Sequence, residues 1–137
     1  MLLSQGAARV APQSEDFPFI ERCLAAERFA RQSGAGLWAT AAWRIRDAST
    51  PDWSRGFQIY AGVIRAANDR KNRVFLNFGE DYRSDFTASV ARGVFRRWRE
   101  FPDMMSIAGR RAEVRGYVES INGPSIELTH EMQLRFG

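Results

Sequence analysis

A regular alternation of apolar and polar residues in the second half of the chain constrains the fold more than any other feature. The run Arg73–Phe78 has apolar side chains at every second position, and the same period recurs in Asp85–Val90 and Arg111–Ser120. A period of two puts successive side chains on opposite faces of a strand, so each run predicts a strand with one buried face. A chain with several such runs is expected to be mainly β.

Turn signals separate these runs and add further strands. Phe57–Ala66 is a long β run, and its Gly62 predicts a bulge or a bend. Asn68–Asn72 predicts a turn before the next strand. Asn122–Gly123 is a strong hairpin signal. It leads into a last alternating run at Ser125–Thr129.

The segment Arg92–Phe101 breaks the alternation and predicts an amphipathic helix. Its apolar face includes Trp98, and its opposite face is basic. The arginines of that basic face are Arg92, Arg96 and Arg99. Three strands, a helix and two strands follow the order of an OB-fold barrel, in which the helix plugs one open end. The expected fold is therefore α+β and mainly β, a five-stranded OB-like barrel with one helix between strands 3 and 4. A small open sheet with one packed helix is the alternative.

An N-terminal helical segment precedes these strands. Within residues 15–34, Leu24 and Phe29 belong to an apolar set at roughly helical spacing. Asp16 and its neighbours provide capping and acidic first-turn signals, and Gly34 ends the helix. The expected organisation is an N-terminal segment at 1–40, a linker at 41–55 and the barrel at 56–137.

Composition limits the class of protein without selecting a function. The 137 residues, 45% of them hydrophobic and 26% charged, suit one ordinary core. The net charge of +4 permits anionic partners. Lys71 is the only lysine, and although arginine suits phosphate contacts, genomic base composition is our default explanation for this skew.

Cys23 is the only cysteine, so no intrachain disulfide is expected. No apolar run is long enough for a membrane span, and MLLSQGAARVAPQ lacks the basic start of a secretory signal, so the cytoplasm is the default compartment.

Two stretches of the chain resemble parts of one protein family. GAARV at 6–10, followed by LAAERFARQSGAGLWA at 24–39, resembles the C-terminal end of thermonuclease-like (staphylococcal nuclease-like) domains. In those domains a final strand leads to a last helix with an A-E-x-x-A-R pattern that ends at G-L-W. RVFLNFGEDYRSDFT and GRRAEVRGYVESINGPSIELTH resemble the small OB-like domain that follows the nuclease domain in some bacterial members. The resemblance implies that residues 1–40 are a nuclease remnant and 56–137 an OB-like domain.

The same resemblance implies a chain without the family's catalytic residues. In that family the calcium-binding acids, the two catalytic arginines and the general-base glutamate lie upstream of the final strand. No position of this sequence corresponds to them. We therefore expect no catalytic residue and no cofactor, with calcium required only if the chain is a nuclease. An intramolecular or protein partner that supplies the missing nuclease half is a further expectation.

The outer face of the predicted barrel supplies a candidate nucleic-acid groove, because it combines arginines with aromatic residues. Stacking of a base on an aromatic side chain contributes about 1–3 kcal/mol, and neighbouring cations follow the phosphate backbone. The expected groove residues are Arg73, Phe75, Arg115 and Tyr117. The expected auxiliary phosphate patch consists of Arg92, Arg96 and Arg99. The alternative is that another segment covers this face.

The leading functional hypothesis is a non-catalytic module that binds single-stranded DNA or RNA. A metal-dependent nuclease of the thermonuclease family and a structural accessory domain without a ligand are the alternatives. Glu80, Asp81 and Asp85 carry oxygen ligands but lack the spacing of a dedicated metal loop, so they are better explained as turn residues. His130 and Cys23 are expected to be structural. The oligomeric state and the choice between DNA and RNA stay open.

Overall fold

The protein divides into two compact units, Met1–Arg44 and Ile45–Gly137, in a computed structural model. The structure describes residues 2–49, 55–79, 85–99, 104–121 and 123–136. The division between the units falls inside the predicted linker at 41–55. Within the described residues the fold is mixed α/β, with a helix in the first unit and a sheet of eight strands in the second.

The first unit, Met1–Arg44, contains the predicted N-terminal helix, α1 (Phe17–Ser33). The Asp16 side chain accepts a hydrogen bond from the Phe19 backbone N–H at 3.1 Å, which satisfies one of the unpaired donors of the first turn. Gly34 ends the helix in the left-handed conformation, with φ of 66°. Two 3₁₀ turns follow, Gly36–Ala39 and Ala41–Trp43. The prediction of this helix is confirmed, and its observed bounds lie two residues inside the predicted start and one inside the predicted end.

The family resemblance implies a strand at residues 6–10, and the structure has none there. Residues 2–6 form turns, and residues 8–10 are irregular. Gly6 has a φ of 74°, which a strand does not accommodate. The Val10 N–H donates to Oε1 of Glu27 at 2.8 Å, so this segment bonds to a buried carboxylate of α1. In a strand, the Val10 N–H would donate to a neighbouring strand. Here the Glu27 carboxylate is its acceptor instead.

The second unit, Ile45–Gly137, is called the sheet unit below. Its strands are β1 (Arg46–Asp47), β2 (Gly56–Val63), β3 (Ala66–Arg70), β4 (Arg73–Asn77), β5 (Thr87–Ala91), β6 (Arg111–Ser120), β7 (Pro124–Glu127) and β8 (Leu134–Phe136). Its helices are α2 (Arg92–Phe95), α3 (Met104–Ile107) and the 3₁₀ turn Glu131–Gln133. The strands are ordered β1-β2-β6-β7-β5-β4-β3, and β8 pairs with the free part of β6. The β1–β2 and β5–β7 pairs are parallel, and the other pairs are antiparallel.

The predicted hairpin is confirmed in the pairing of β4 with β5, which joins Val74 to Val90 and Leu76 to Ala88. All of these four side chains are buried, as the alternation requires. Strand β6 has the predicted bounds, and β7 begins one residue before the predicted last strand. The strands β1 and β8 are additions that the alternation did not predict.

The predicted turn at Asn68–Asn72 is shorter in the structure. Strand β3 continues to Arg70 and pairs residue by residue with β4. The reversal is made by Lys71 and Asn72, whose φ angles are 54° and 60°. Positive φ at both central residues is typical of the turns that join twisted antiparallel strands. Pairing with β4 therefore overrides the turn-like composition of the segment.

The predicted long strand at Phe57–Ala66 is interrupted at a different place from Gly62, which lies inside β2. The interruption falls at Ile64 and Arg65, between β2 and β3. There the Ile64 N–H donates to the Arg110 carbonyl at 2.9 Å, and the Arg65 N–H donates to the Asn77 carbonyl at 2.7 Å. The described strands thus form an open path of paired strands.

The predicted helix at Arg92–Phe101 is helical only over α2, and residues 100–103 lie outside the described part of the chain. Gly93 is a weak helix former, and α2 has no side-chain cap. Phe95 and Trp98 are nevertheless buried, and their rings pack at a tilt of 56° with centroids 5.1 Å apart. They join the apolar side of the sheet in one core. Its largest members besides these two are Tyr60, Phe78, Phe86, Leu76, Ile64, Ile107, Ile126 and Leu128.

Candidate nucleic-acid interface

Arg73 and Phe75 lie on the outer face of β4, alternating with buried residues. Directly paired residues of neighbouring strands share a face. Phe75 pairs with Asn68 on β3 and with Ser89 on β5, and Ser89 pairs with Glu127 on β7. These four positions form one row across four strands. Phe75 is the aromatic member of that row and is half-buried.

A polar groove of about 480 Å³ follows this face, and it is called the β4 groove below. It is lined by Asn68, Asp69, Arg70, Phe75, Asn77, Thr87, Ile121 and Ser125. Its two ends lie at the reversal between β3 and β4 and at the turn between β6 and β7. The Arg70 guanidinium lies 5.8 Å from the centre of the Phe75 ring, within the range of a cation–π contact. Ile121 is 58% exposed at the opposite end.

The charges near the β3–β4 reversal partly neutralise one another. Arg73 forms an ion pair with Glu127 at 3.2 Å, and Arg92 pairs with Asp69. All four of these side chains keep part of their surface in water, so each pair contributes little to stability. The cations at this end are Arg70, Lys71, Arg73 and Arg92. Asp69 and Glu127 are the carboxylates that pair with them, so among the described residues the cations at this end outnumber the carboxylates by two.

Tyr117 lies on the same sheet face as Phe75 but outside the lining of the β4 groove. It is 68% exposed, and its ring meets Phe57 edge to face with centroids 5.5 Å apart. Strands β7 and β5 separate β6 from β4. A spacing of about 4.8 Å per strand then puts Tyr117 and Phe75 about 14 Å apart. The predicted face of Tyr117 agrees with the structure, but its ring lies outside the β4 groove.

The expectation that Arg115 is an exposed groove cation is wrong. Its side chain is 2% exposed and forms an ion pair with Glu113 at 3.1 Å. The Arg115 carbonyl accepts a hydrogen bond from Nε2 of Gln133, and Oε1 of Gln133 accepts from the backbone N–H groups of Thr129 and His130. Alternation along β6 predicted the face of Arg115 but not the segment around Gln133 that packs beside it. We therefore regard Arg115 as a structural residue.

The three helix arginines do not share one helix face. Arg92 belongs to α2 and adjoins the β4 groove through its pair with Asp69. Arg96 and Arg99 follow the end of α2, and both are exposed. The backbone N–H of Arg99 donates to Glu131 at 2.7 Å, which holds this segment close to the last 3₁₀ turn. Only Arg92 of the predicted phosphate patch is therefore near the groove.

The remaining candidate residues have structural contacts or lie outside the described residues. Nδ1 of His130 accepts the Met132 N–H at 3.0 Å and so caps the last 3₁₀ turn. Cys23 is buried in α1. Glu80 and Asp81 lie outside the described part of the chain, whereas Asp85 is half-buried. Among the described residues, no three His, Cys, Asp or Glu side chains come together as a metal site, and no helix has the length and apolarity to cross a membrane.

Sequence reasoning missed several groove residues, among them Arg70, which had been assigned to a turn. The others are Asn68, Asp69, Asn77, Thr87, Ile121 and Ser125. Strand register brings several of them together, because Asn77 pairs with Thr87 and Thr87 pairs with Ser125. That signal needs the strand order, which the chain's alternation does not provide.

Comparison with known proteins identifies no family for this chain, so its function is inferred from the geometry of the β4 groove. No family model matches the chain, and no curated protein matches it. The relation to thermonuclease-like proteins stays a prediction.

Proposed function

We propose that the sheet unit is an OB-like module that binds single-stranded nucleic acid in the β4 groove without cleaving it. The observation that carries this proposal is Phe75, an aromatic ring in a polar groove with Arg70 close to it. An aromatic face flanked by cations is the arrangement on which single strands stack without sequence preference.

The strand order supports the OB-like assignment. If β2 and β3 act as one strand bent at Ile64 and Arg65, the path β2-β6-β7-β5-β4-β3 begins and ends on the same strand. A path of this kind would form a closed five-stranded barrel in which β5 and β7 are the parallel pair. OB-fold ligands bind across the second and third strands, between the loops that follow the first and fourth strands. The corresponding parts here are β4, β5, the Lys71–Asn72 reversal and the turn at Ile121.

The side chains of the groove suggest how a strand would be held. One base would stack on Phe75. The exposed Arg70 and Lys71 would contact phosphates at one end of the groove. The amides of Asn68 and Asn77 can both donate to and accept from base edges. Because only two cations are in excess, about two phosphate contacts are expected, which corresponds to a log affinity that falls by about 1.4 per log unit of salt.

Substitution of Phe75 tests this proposal. Loss of one stacked base costs about 1–3 kcal/mol, so Phe75→Ala is expected to weaken binding of a labelled single-stranded oligonucleotide about 5- to 150-fold. Fluorescence anisotropy at low and moderate salt measures the affinity. Tyr117→Ala is the matched control, because it removes a more exposed aromatic ring outside the groove. Equal affinities of Phe75→Ala and the unchanged protein would refute the assignment of the groove.

One observation favours a structural module without a ligand. The ion pairs Arg73–Glu127 and Arg92–Asp69 already use two of the cations beside the groove. That alternative predicts no change in anisotropy with any oligonucleotide at any salt concentration. The same samples run on a gel with and without calcium address the nuclease alternative, since calcium-dependent shortening would support cleavage.

A further inference from the structure

A second polar pocket, of about 380 Å³, lies on strands that take no part in the β4 groove. It is lined by parts of β1, β2 and β6 and by residues next to them. Its charged and polar lining consists of Arg46, Asp47, Ser49, Arg65 and Arg111. We call it the arginine pocket. Its lining includes three cations and one carboxylate.

Strand pairing explains why Arg65 and Arg111, from distant parts of the chain, lie close to each other. Arg46 pairs with Tyr60 in the parallel β1–β2 ladder, and Arg111 pairs with Val63 in the antiparallel β2–β6 ladder. Arg65 follows Val63 by two residues, and its backbone N–H donates to the Asn77 carbonyl at 2.7 Å. Arg65 and Arg111 thus lie beside the C-terminal end of β2, whereas Arg46 shares the opposite face with the buried Tyr60.

Two of the lining residues are already positioned by neighbours. Nε of Arg46 donates to Oε1 of Gln58 at 3.1 Å, and Arg46 is only 9% exposed. Oδ1 of Asp47 accepts from the backbone N–H and the hydroxyl of Ser49 at 2.9 and 2.7 Å. The Arg46 guanidinium is therefore directed to Gln58, and Asp47 brings one carboxylate to the pocket lining.

The other two arginines bring further positive charge to the pocket. Arg65 and Arg111 are exposed, and within the described part of the chain neither takes part in an ion pair. Arginine guanidinium groups bind phosphate oxygens through parallel N–H···O bonds, and such charge-assisted bonds are stronger than neutral ones. A phosphate group is the ligand class that the exposed guanidinium groups of Arg65 and Arg111 suit.

We propose that the arginine pocket binds a phosphate group, with the exposed Arg65 and Arg111 as its ligands. The site does not depend on nucleic acid in the β4 groove, because the two are lined by different residues. A free phosphate ion and the terminal phosphate of a nucleotide chain present the same chemistry to it.

Calorimetric titration of the full chain with inorganic phosphate at constant ionic strength tests the proposal. Arg65→Gln and Arg111→Gln are each expected to weaken phosphate binding about tenfold, the effect of one charge-assisted hydrogen bond. Arg96→Gln is the matched control, since Arg96 is an exposed arginine outside the pocket, and it is expected to bind like the unchanged protein. Thermal unfolding of each variant without phosphate checks that the fold is retained.

Three results would overturn the proposal: absence of phosphate binding at millimolar concentration, an equal response to chloride, or equal weakening by Arg96→Gln. The source of the phosphate is then separated by comparing 5′-phosphorylated and 5′-hydroxyl oligonucleotides in the Phe75→Ala background. A preference for the phosphorylated end that is lost in Arg65→Gln would identify a nucleic-acid terminus as the ligand. Binding of inorganic phosphate without that preference would identify the free ion.

Discussion

Gly116 provides a sensitive test of how β6 packs in the sheet unit. It lies in the middle of β6 and pairs with Gln58 on β2. A methyl group added at this position would lie 2.7 Å from Cγ2 of Ile126 and 3.0 Å from Nε2 of Gln133. Both distances are shorter than ordinary van der Waals contact. Gly116→Ala must therefore displace a buried side chain of the neighbouring strand, a side-chain amide, or both.

The expected cost follows from these two contacts. Ile126 is fully buried and β-branched, so it has little rotamer freedom with which to move away. Overpacking of a well-packed core costs about 1–3 kcal/mol. Displacement of Gln133 would also weaken its hydrogen bond to the Arg115 carbonyl, which adds about 1 kcal/mol. We expect Gly116→Ala to lower the free energy of unfolding by about 2–4 kcal/mol.

Gly93→Ala is the matched control for this experiment. Gly93 is exposed in α2, and an added methyl group there meets no atom within 4 Å. Alanine is favoured over glycine inside a helix by about 0.5–1 kcal/mol, so this variant is expected to be neutral or slightly more stable. Urea unfolding followed by circular dichroism compares the two. Equal unfolding midpoints of the two variants would contradict the described packing of β6 against β7 and Gln133.

Two further substitutions test the capping of α1 and the role of Arg115. Asp16→Ala removes the acceptor of the Phe19 N–H and is expected to destabilise α1 by about 1 kcal/mol. Thermal unfolding measures this change, and Asp16→Asn, which keeps an acceptor, is the control. Equal stability of the two variants would contradict the cap. Arg115→Met removes the ion pair with Glu113 but keeps most of the buried volume. It is expected to lower the free energy of unfolding by about 1.5–3 kcal/mol and to leave oligonucleotide affinity unchanged. Weaker oligonucleotide binding by a variant that remains folded would indicate that Arg115 does contact nucleic acid.

Local patterns in the sequence were sufficient to predict α1, the β4–β5 hairpin and β6. The first is defined by a capping aspartate and a terminal glycine, and the others by alternation of buried side chains. The segment Asn68–Arg70 was assigned to a turn because its residues are polar. It is a strand because its backbone pairs with β4, which local composition does not reveal. Strands β1 and β8 have only two and three residues, too few for a period to be recognised.

The candidate site was predictable only in part. Phe75 and Arg73 were placed correctly because their strand is long enough to define its two faces. Arg115 was misplaced because alternation gives the face of a side chain but not what lies over that face. The residues that complete the β4 groove come from β3, β5, β7 and the turn after β6. Their proximity depends on the strand order and on the parallel pairing of β5 with β7, both of which are long-range properties.

The most direct test of the central claim is an NMR titration of the full chain, labelled with ¹⁵N, with an unlabelled single-stranded oligonucleotide. Binding in the β4 groove predicts amide shift changes concentrated at Arg70, Phe75, Asn77 and Thr87. Amides near Gln133, which does not line the β4 groove, serve as the internal reference and are expected to stay unchanged. Unchanged spectra at saturating oligonucleotide, or shift changes that leave the β4 groove unaffected, would contradict the proposed function.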